Sequence, residues 1–128
     1  MRLTITRSLT VALFLVLVLA WRPAAGDDVE GKALFKKYCG TCHTSEKGGG
    51  KRQGPNLFGV VGRKAGTLPD FTYSDALRTN KDGIVWTRET LDRWLTDPQA
   101  FIPGVVMPYK QADPAIRQRV IDYLDTLH

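Results

Sequence analysis

Two cysteines separated by two residues and followed at once by a histidine, Cys39-Gly40-Thr41-Cys42-His43, constrain this chain more than any other stretch. Thiols three positions apart on one helical turn reach the two vinyl groups on one edge of a porphyrin and add to them as thioethers. The adjacent imidazole then falls beneath the iron, so a single turn supplies attachment and an axial ligand: C-x-x-C-H is the attachment signal for a c-type haem. Two other readings of the cysteines are weaker. A thioredoxin-like pair follows a strand and opens a helix in a βαβ unit, and no such alternation surrounds this one. A zinc site needs about four nitrogen or sulfur ligands, and beyond these three residues the mature chain offers only His128, its last.

The first residues read as a secretory signal: a basic start with Arg2 and Arg7, an apolar run from Leu9 to Ala20, and small residues at Ala24, Ala25 and Gly26 before Asp27 and Asp28. The run is 12 residues long, short of the roughly 20 that span a bilayer. The expectation is therefore a leader over 1–26, cleaved after Ala25 or Gly26, and a mature domain over 27–128. Removing the leader takes Arg2, Arg7 and Arg22 and no acid, leaving 15 basic and 13 acidic residues and a formal charge of +2. That balance, with no clustered basic face, gives no support for a nucleic-acid partner. The remaining 102 residues make one domain whose core is marginal without a buried apolar group. Export places the cysteines in an oxidising compartment, but with both used by haem no structural disulfide is expected.

Along the mature chain every periodic segment reads as helix. Val29 to Tyr38 is uninterrupted by proline, with acids before it and Lys36 and Lys37 near its end, matching the helix dipole. Residues 44–54 form a polar, glycine-rich loop, and Pro55 to Gly62 is apolar without periodicity, a segment that needs something such as a porphyrin face to pack on. Ser74 caps a short helix through Leu77. Thr87 caps another, with Leu91, Trp94 and Leu95 on one face, ended by Asp97-Pro98; Pro98 starts a further turn through Phe101. Asp113-Pro114 opens a terminal helix with Ile116, Val120, Tyr123, Leu124 and Leu127 in one stripe. No strand alternation, internal repeat or second domain is present. The fold expected is all-α.

An iron bound by His43 on one side needs a ligand on the other. Outside the leader the methionine is Met107, in the apolar loop Ile102-Pro103-Gly104-Val105-Val106-Met107-Pro108, stiffened by two prolines between two expected helices. Such a loop can present the sulfur rigidly. A thioether favours ferrous iron and fills the site against dioxygen.

With these features in place the chain resembles a class I cytochrome c, of the small mitochondrial and bacterial periplasmic type. The likeness runs through Gly31 and Phe35, the C-x-x-C-H turn, Gly54-Pro55-Asn56-Leu57, Gly59, Gly62, Arg63, Gly66, Tyr73-Ser74-Asp75-Ala76, Trp86, Leu91, Pro98, Ile102-Pro103-Gly104, Met107 and Tyr123-Leu124. It implies a single cytochrome c domain of helices and loops wrapped around one covalent haem. Gly31 and Phe35 would pack where the first helix crosses the last, and the Pro55 carbonyl would accept the hydrogen bond of His43 Nδ1. Arg63, Tyr73 and Trp86 would lie near the propionates, with Trp94 also in the pocket. Where the mitochondrial pattern sets an asparagine, a tyrosine and a threonine around a buried water near the methionine, this chain has Leu77, Trp94 and Val105, which implies a drier pocket. At the places of the mitochondrial lysines that ring the haem edge it has Tyr38, Gln99, Ala100 and Val106, with Lys37 and Lys110 remaining. Docking through a smaller charge and more apolar contact, with Tyr109 near the edge, is the expectation.

The function implied is a soluble, monomeric periplasmic electron carrier that performs no bond chemistry on a substrate. Expected donors are a membrane quinol-oxidising complex or a periplasmic dehydrogenase. Expected acceptors are a terminal oxidase, a photosynthetic reaction centre or a peroxidase. The alternative is a small peroxidase or gas binder with an open or displaceable sixth position. It would need a distal acid–base group, and the distal region has no spare histidine.

Overall fold

A computed structural model describes residues 25–80 and 83–128. The expected leader lies outside these residues except for its last two, Ala25 and Gly26. Among the described residues no helix is long and apolar enough to cross a membrane.

Five helices are described: α1 Ala25–Tyr38, α2 Asp75–Arg78, α3 Arg88–Thr96, α4 Pro98–Phe101 and α5 Pro114–Asp125. The first starts four residues before Val29, because neither Gly26 nor the two acids stops it, and the expected cleavage position falls inside its first turn. The last ends at Asp125, two residues short of Leu127, where Thr126 bonds back through its N–H and hydroxyl to the Tyr123 carbonyl.

Helices α1 and α5 form the frame. Asp113 caps α5 by accepting from the Ala115 N–H at 2.8 Å, with Pro114 at the first helical position. The buried stripe of α5 is Val120, Ile121, Tyr123 and Leu124. It meets α1 at Gly31, where a Cβ would stand 2.5 Å from the Arg119 carbonyl oxygen and 2.8 Å from Tyr123 Cβ. The two backbones touch, so any larger side chain would hold them apart. One turn further on, the Phe35 and Tyr123 rings pack with centroids 5.6 Å apart.

Helix α3 lies against α5. Thr87 and Thr90 cap it reciprocally, Thr90 N–H to Thr87 Oγ1 at 3.1 Å and Thr87 N–H to Thr90 Oγ1 at 2.7 Å. Its Leu91, Trp94 and Leu95 are buried, and Arg117 on α5 pairs with Asp92 at 2.8 Å. The Asp97 carboxylate then accepts from the N–H groups of Gln99 and Ala100, starting the single turn of α4. Ser74 caps α2 in the same manner.

Sequence periodicity gives no sign of the antiparallel contact between 62–65 and 84–86. Gly62 donates to the Trp86 carbonyl at 2.7 Å, Trp86 to Arg63 at 2.9 Å and Ala65 to Ile84 at 2.7 Å, around an isolated bridge between Lys64 and Val85. The apolar core, from Phe35 and Val60 through the tryptophans to Leu124, does not close on itself. It surrounds a cavity.

Candidate functional site

Helix α1 does not simply stop at Tyr38. The N–H groups of Cys39 and Gly40 both donate to the Phe35 carbonyl, at 2.7 and 2.9 Å, and those of Cys42 and His43 both donate to Cys39, at 3.0 and 2.9 Å. The cysteine–histidine motif is thus wound into a turn built directly on the α1–α5 crossing.

That turn forms one wall of a cavity of about 300 Å3, within the range of sites that enclose a small organic cofactor. All nine residues singled out from sequence line it: Cys39, Cys42 and His43 from the turn, Pro55 and Arg63 from the loop after it, Tyr73, Trp86, Trp94 on α3, and Met107 from the loop before α5. Leu77 and Val105 line it too, as does Gln53.

His43 is held from behind. Its Nδ1–H donates to the Pro55 carbonyl at 2.8 Å, which leaves Nε2 as the nitrogen with a free lone pair. Burial pushes the imidazole below its ordinary 6.5, opposed in part by the Pro55 bond, so the ring is neutral. Gly54 makes room for it: a Cβ there would lie 2.2 Å from His43 Cε1. A neutral, oriented imidazole is what a metal requires.

Both cysteines are free thiols. Cys39 is pushed up to about 12, mainly by burial and further by Cys42. A redox-active pair depends on a depressed thiol pKa, so the environment is opposite to that of a thioredoxin-like site. Cys42 Sγ donates to Gln53 Oε1 at 3.3 Å.

The loop side carries the polar groups. Arg63 donates to the Phe58 carbonyl at 3.2 Å and to the Asn56 carbonyl at 3.0 Å, so it braces this loop from inside. Burial lowers its pKa, against the opposing fields of Tyr73 and Asp70. Tyr73 accepts from the Leu68 N–H at 3.4 Å, leaving its own proton free to donate, and it is raised chiefly by burial. Phe71 stands edge-on to it at 4.9 Å. Trp86 and Trp94 meet edge to face at 5.3 Å.

Around Met107 the cavity is nearly apolar, with Leu77 and Val105 contributing no polar side-chain atom. The exception is Trp94, whose Nε1–H donates to Met107 Sδ at 3.2 Å. At the rim the Tyr38 and Tyr109 rings lie 6.5 Å apart, Lys37 sits over Tyr38, and Val106 is 78% exposed. Phe71 and Gln53 went unrecognised in the sequence. One is an aromatic in an irregular loop and the other a polar residue in a polar loop, and neither position carries a signal.

The residues fit a haem. An apolar cavity has two thiols on one turn at its wall, a neutral histidine and a thioether lining it, and hydrogen-bond donors at Tyr73 and the tryptophans. The groups of three or more acidic, cysteine or histidine side chains that hold a bare metal ion do not occur among the described residues.

The family model for cytochrome c matches residues 29–128. Among relatives, cytochrome c2 of Rhodopila globiformis is 48% identical over 103 residues, covering 80% of this chain and 94% of the relative. Cytochrome c-550 of Novispirillum itersonii is 41% identical over 111 residues, 80% of this chain and 99% of the relative. Cytochrome c of Chlamydomonas reinhardtii is 43% identical over 102 residues, 78% and 88% respectively. With Cys39 and Cys42 at the attachment turn and helices for its architecture, the chain belongs to the cytochrome c family, as a class I member that carries one covalent haem c and transfers electrons.

Proposed function

We propose that the protein is an exported, periplasmic carrier in which His43 Nε2 and Met107 Sδ would hold the haem iron and Cys39 and Cys42 would anchor the haem as thioethers. The observation that carries this reading is that His43, fixed through Nδ1 to Pro55, and Met107, engaged by Trp94, line the same cavity. Bound there, haem c supplies a one-electron couple between ferric and ferrous iron. The protein's part is to keep both ligands in place so that little rearrangement accompanies electron gain or loss. Arg63, Tyr73 and Trp86 serve as the polar side of the pocket, where propionate charge needs donors.

Cleavage of the leader after Ala25 or Gly26 releases a soluble domain. Its donors are a quinol-oxidising membrane complex or a periplasmic dehydrogenase, and its acceptors a terminal oxidase, a reaction centre or a peroxidase. Support for the bacterial placement comes from the leader pattern in the sequence and from the cytochrome c2 and c-550 relatives.

The visible spectrum of exported protein tests the ligand set. Expected are c-type haem bands in the reduced form and the weak far-red ferric band given by methionine sulfur, the latter absent in Met107→Ala. Haem bands without the far-red band would move the peroxidase or gas-binding reading ahead.

A further inference from the structure

The Met107 loop is closed by a residue that belongs to neither the cavity nor the core. Gln99, exposed on the single turn of α4, directs both ends of its side-chain amide at the backbone of this loop. Its Nε2 donates to the Val105 carbonyl and its Oε1 accepts from the Gly104 N–H at 3.3 Å. The base of Gln99 is fixed in turn, because its own N–H donates to Asp97 Oδ1 at 3.1 Å. A small ring of chain is thereby cinched two residues before the sulfur. On the other side of Met107, Asp97 Oδ2 pairs with Lys110 at 3.2 Å, and the Gln111 N–H donates to the Leu95 carbonyl at 2.7 Å. The segment carrying Met107 is anchored at both ends.

We infer that Gln99 is a positioning residue, a latch that holds the loop shut so that Met107 stays in the cavity against competing ligands. The inference rests on Met107 being an axial ligand. The chemistry of the position is selective: one side chain must donate to a carbonyl and accept from an N–H at the same time. A primary amide does this, whereas a lysine cannot accept and a glutamate cannot donate. Because the amide is exposed, it adds nothing to the core, and its loss leaves the helices untouched.

The test is an imidazole titration of the ferric holoprotein, read by loss of the far-red sulfur band, with unfolding followed separately by far-ultraviolet circular dichroism. Gln99→Met keeps side-chain length and removes both bonds. Its affinity for imidazole is expected to rise about tenfold, from two hydrogen bonds lost in the closed loop, with the denaturation midpoint close to the unaltered protein. Gln99→Glu, which keeps the acceptor alone, is expected between the two. Unchanged imidazole affinity in Gln99→Met would overturn the latch, as would a gain matched by an equal loss of global stability. If the unaltered ferric protein lacks the far-red band, the Met107 assignment fails first and the latch with it; if the band is present and imidazole affinity does not move, the latch alone fails.

Discussion

Trp94 places the one N–H found beside the Met107 sulfur, at 3.2 Å. The positive end of that dipole draws electron density from the sulfur proposed as a ligand, a thioether that already favours ferrous iron, and so strengthens that preference. Trp94→Phe keeps an aromatic six-membered ring and removes the donor. The reduction potential is expected to fall by roughly 20–60 mV, the electrical equivalent of about 0.5–1.5 kcal/mol for one hydrogen bond, measured by equilibrium redox titration. A rise would mean that the N–H is not directed at the sulfur in the loaded protein. Gly54 acts by what it lacks. A methyl at 2.2 Å from His43 Cε1 displaces the ring from the Pro55 carbonyl, so Gly54→Ala is expected to attach haem but to give a weakened or mixed axial spectrum. At this scale the sequence was legible wherever the chemistry sits in the side chain. Cysteine, histidine and methionine announce themselves by type and order, as do Tyr73, Trp86 and Trp94 among the pocket aromatics, but not Phe71. Gln99 does not, because its partners are backbone groups that every residue possesses, and the direction of the Trp94 N–H depends on packing that no local pattern encodes.

Among the elements, the α1–α5 crossing is the tightest. Alanine is better than glycine inside a helix by about 1 kcal/mol, yet a Cβ at Gly31 would meet the Arg119 carbonyl and Tyr123 Cβ, neither of which can swing away. Overpacking of this kind typically costs 1–3 kcal/mol, and here it involves backbone, so Gly31→Ala is expected to lower stability by roughly 1–2 kcal/mol net. A chemical denaturation curve of the holoprotein reads this directly, and a stabilised variant would show that the helices can separate freely. The Asp97 cap of α4 gives a pH signature. Its carboxyl is held below the ordinary 3.8, first by the Ala100 N–H and then by Lys110. A depressed folded-state pKa contributes stability above the unfolded value, and the contribution is lost as pH falls through the folded one. The stability gap between the unaltered protein and Asp97→Ala is therefore expected to be constant near neutrality and to close in acid below 3.8, by thermal melts across pH. The caps at Ser74, Thr87 and Asp113 were legible, since polar oxygens before helical runs have few other uses, whereas Asp97 reads as the end of α3 and its side chain's service to α4 does not show. The short antiparallel contact near Lys64 and Val85 was not, since its ladder is too brief to impose an alternation.

Over the whole molecule, charge is unevenly spread. Residues 27–59 hold six basic and four acidic side chains, whereas 60–128 hold nine of each. In the second segment Asp75, Asp92, Asp97, Asp122 and Asp125 are neutralised by local ion pairs. None of the ion pairs between described residues draws on Lys32, Lys36, Lys37, Lys47, Lys51 or Arg52. At the cavity rim Val106, Pro108 and Tyr109 are uncharged, Lys110 is paired with Asp97, and Lys37 over Tyr38 is the cation in none of these pairs. Oxidation of the ferrous protein by ferricyanide is accordingly expected to slow only two- to fivefold, roughly, between 10 mM and 0.5 M salt. Stopped-flow kinetics would measure it, and a fall of a hundredfold would indicate a strongly cationic rim rather than one carrying Lys37 and a paired Lys110.

The meeting of α1 with α5 also sets an order of events. A chain is made from its N-terminus, so the turn bearing Cys39 and Cys42 emerges while the helix that will cover Phe35 has not yet been synthesised. Until Pro114–Asp125 arrives, the first helix has no partner and both thiols are accessible. Once it docks, Ile116 and Val120 close over one side of Cys39, while both cysteines still face the cavity. The topology therefore couples maturation to closure: the group attached at Cys39 and Cys42 fills the cavity whose far wall the last helix completes with Val120 and Leu124.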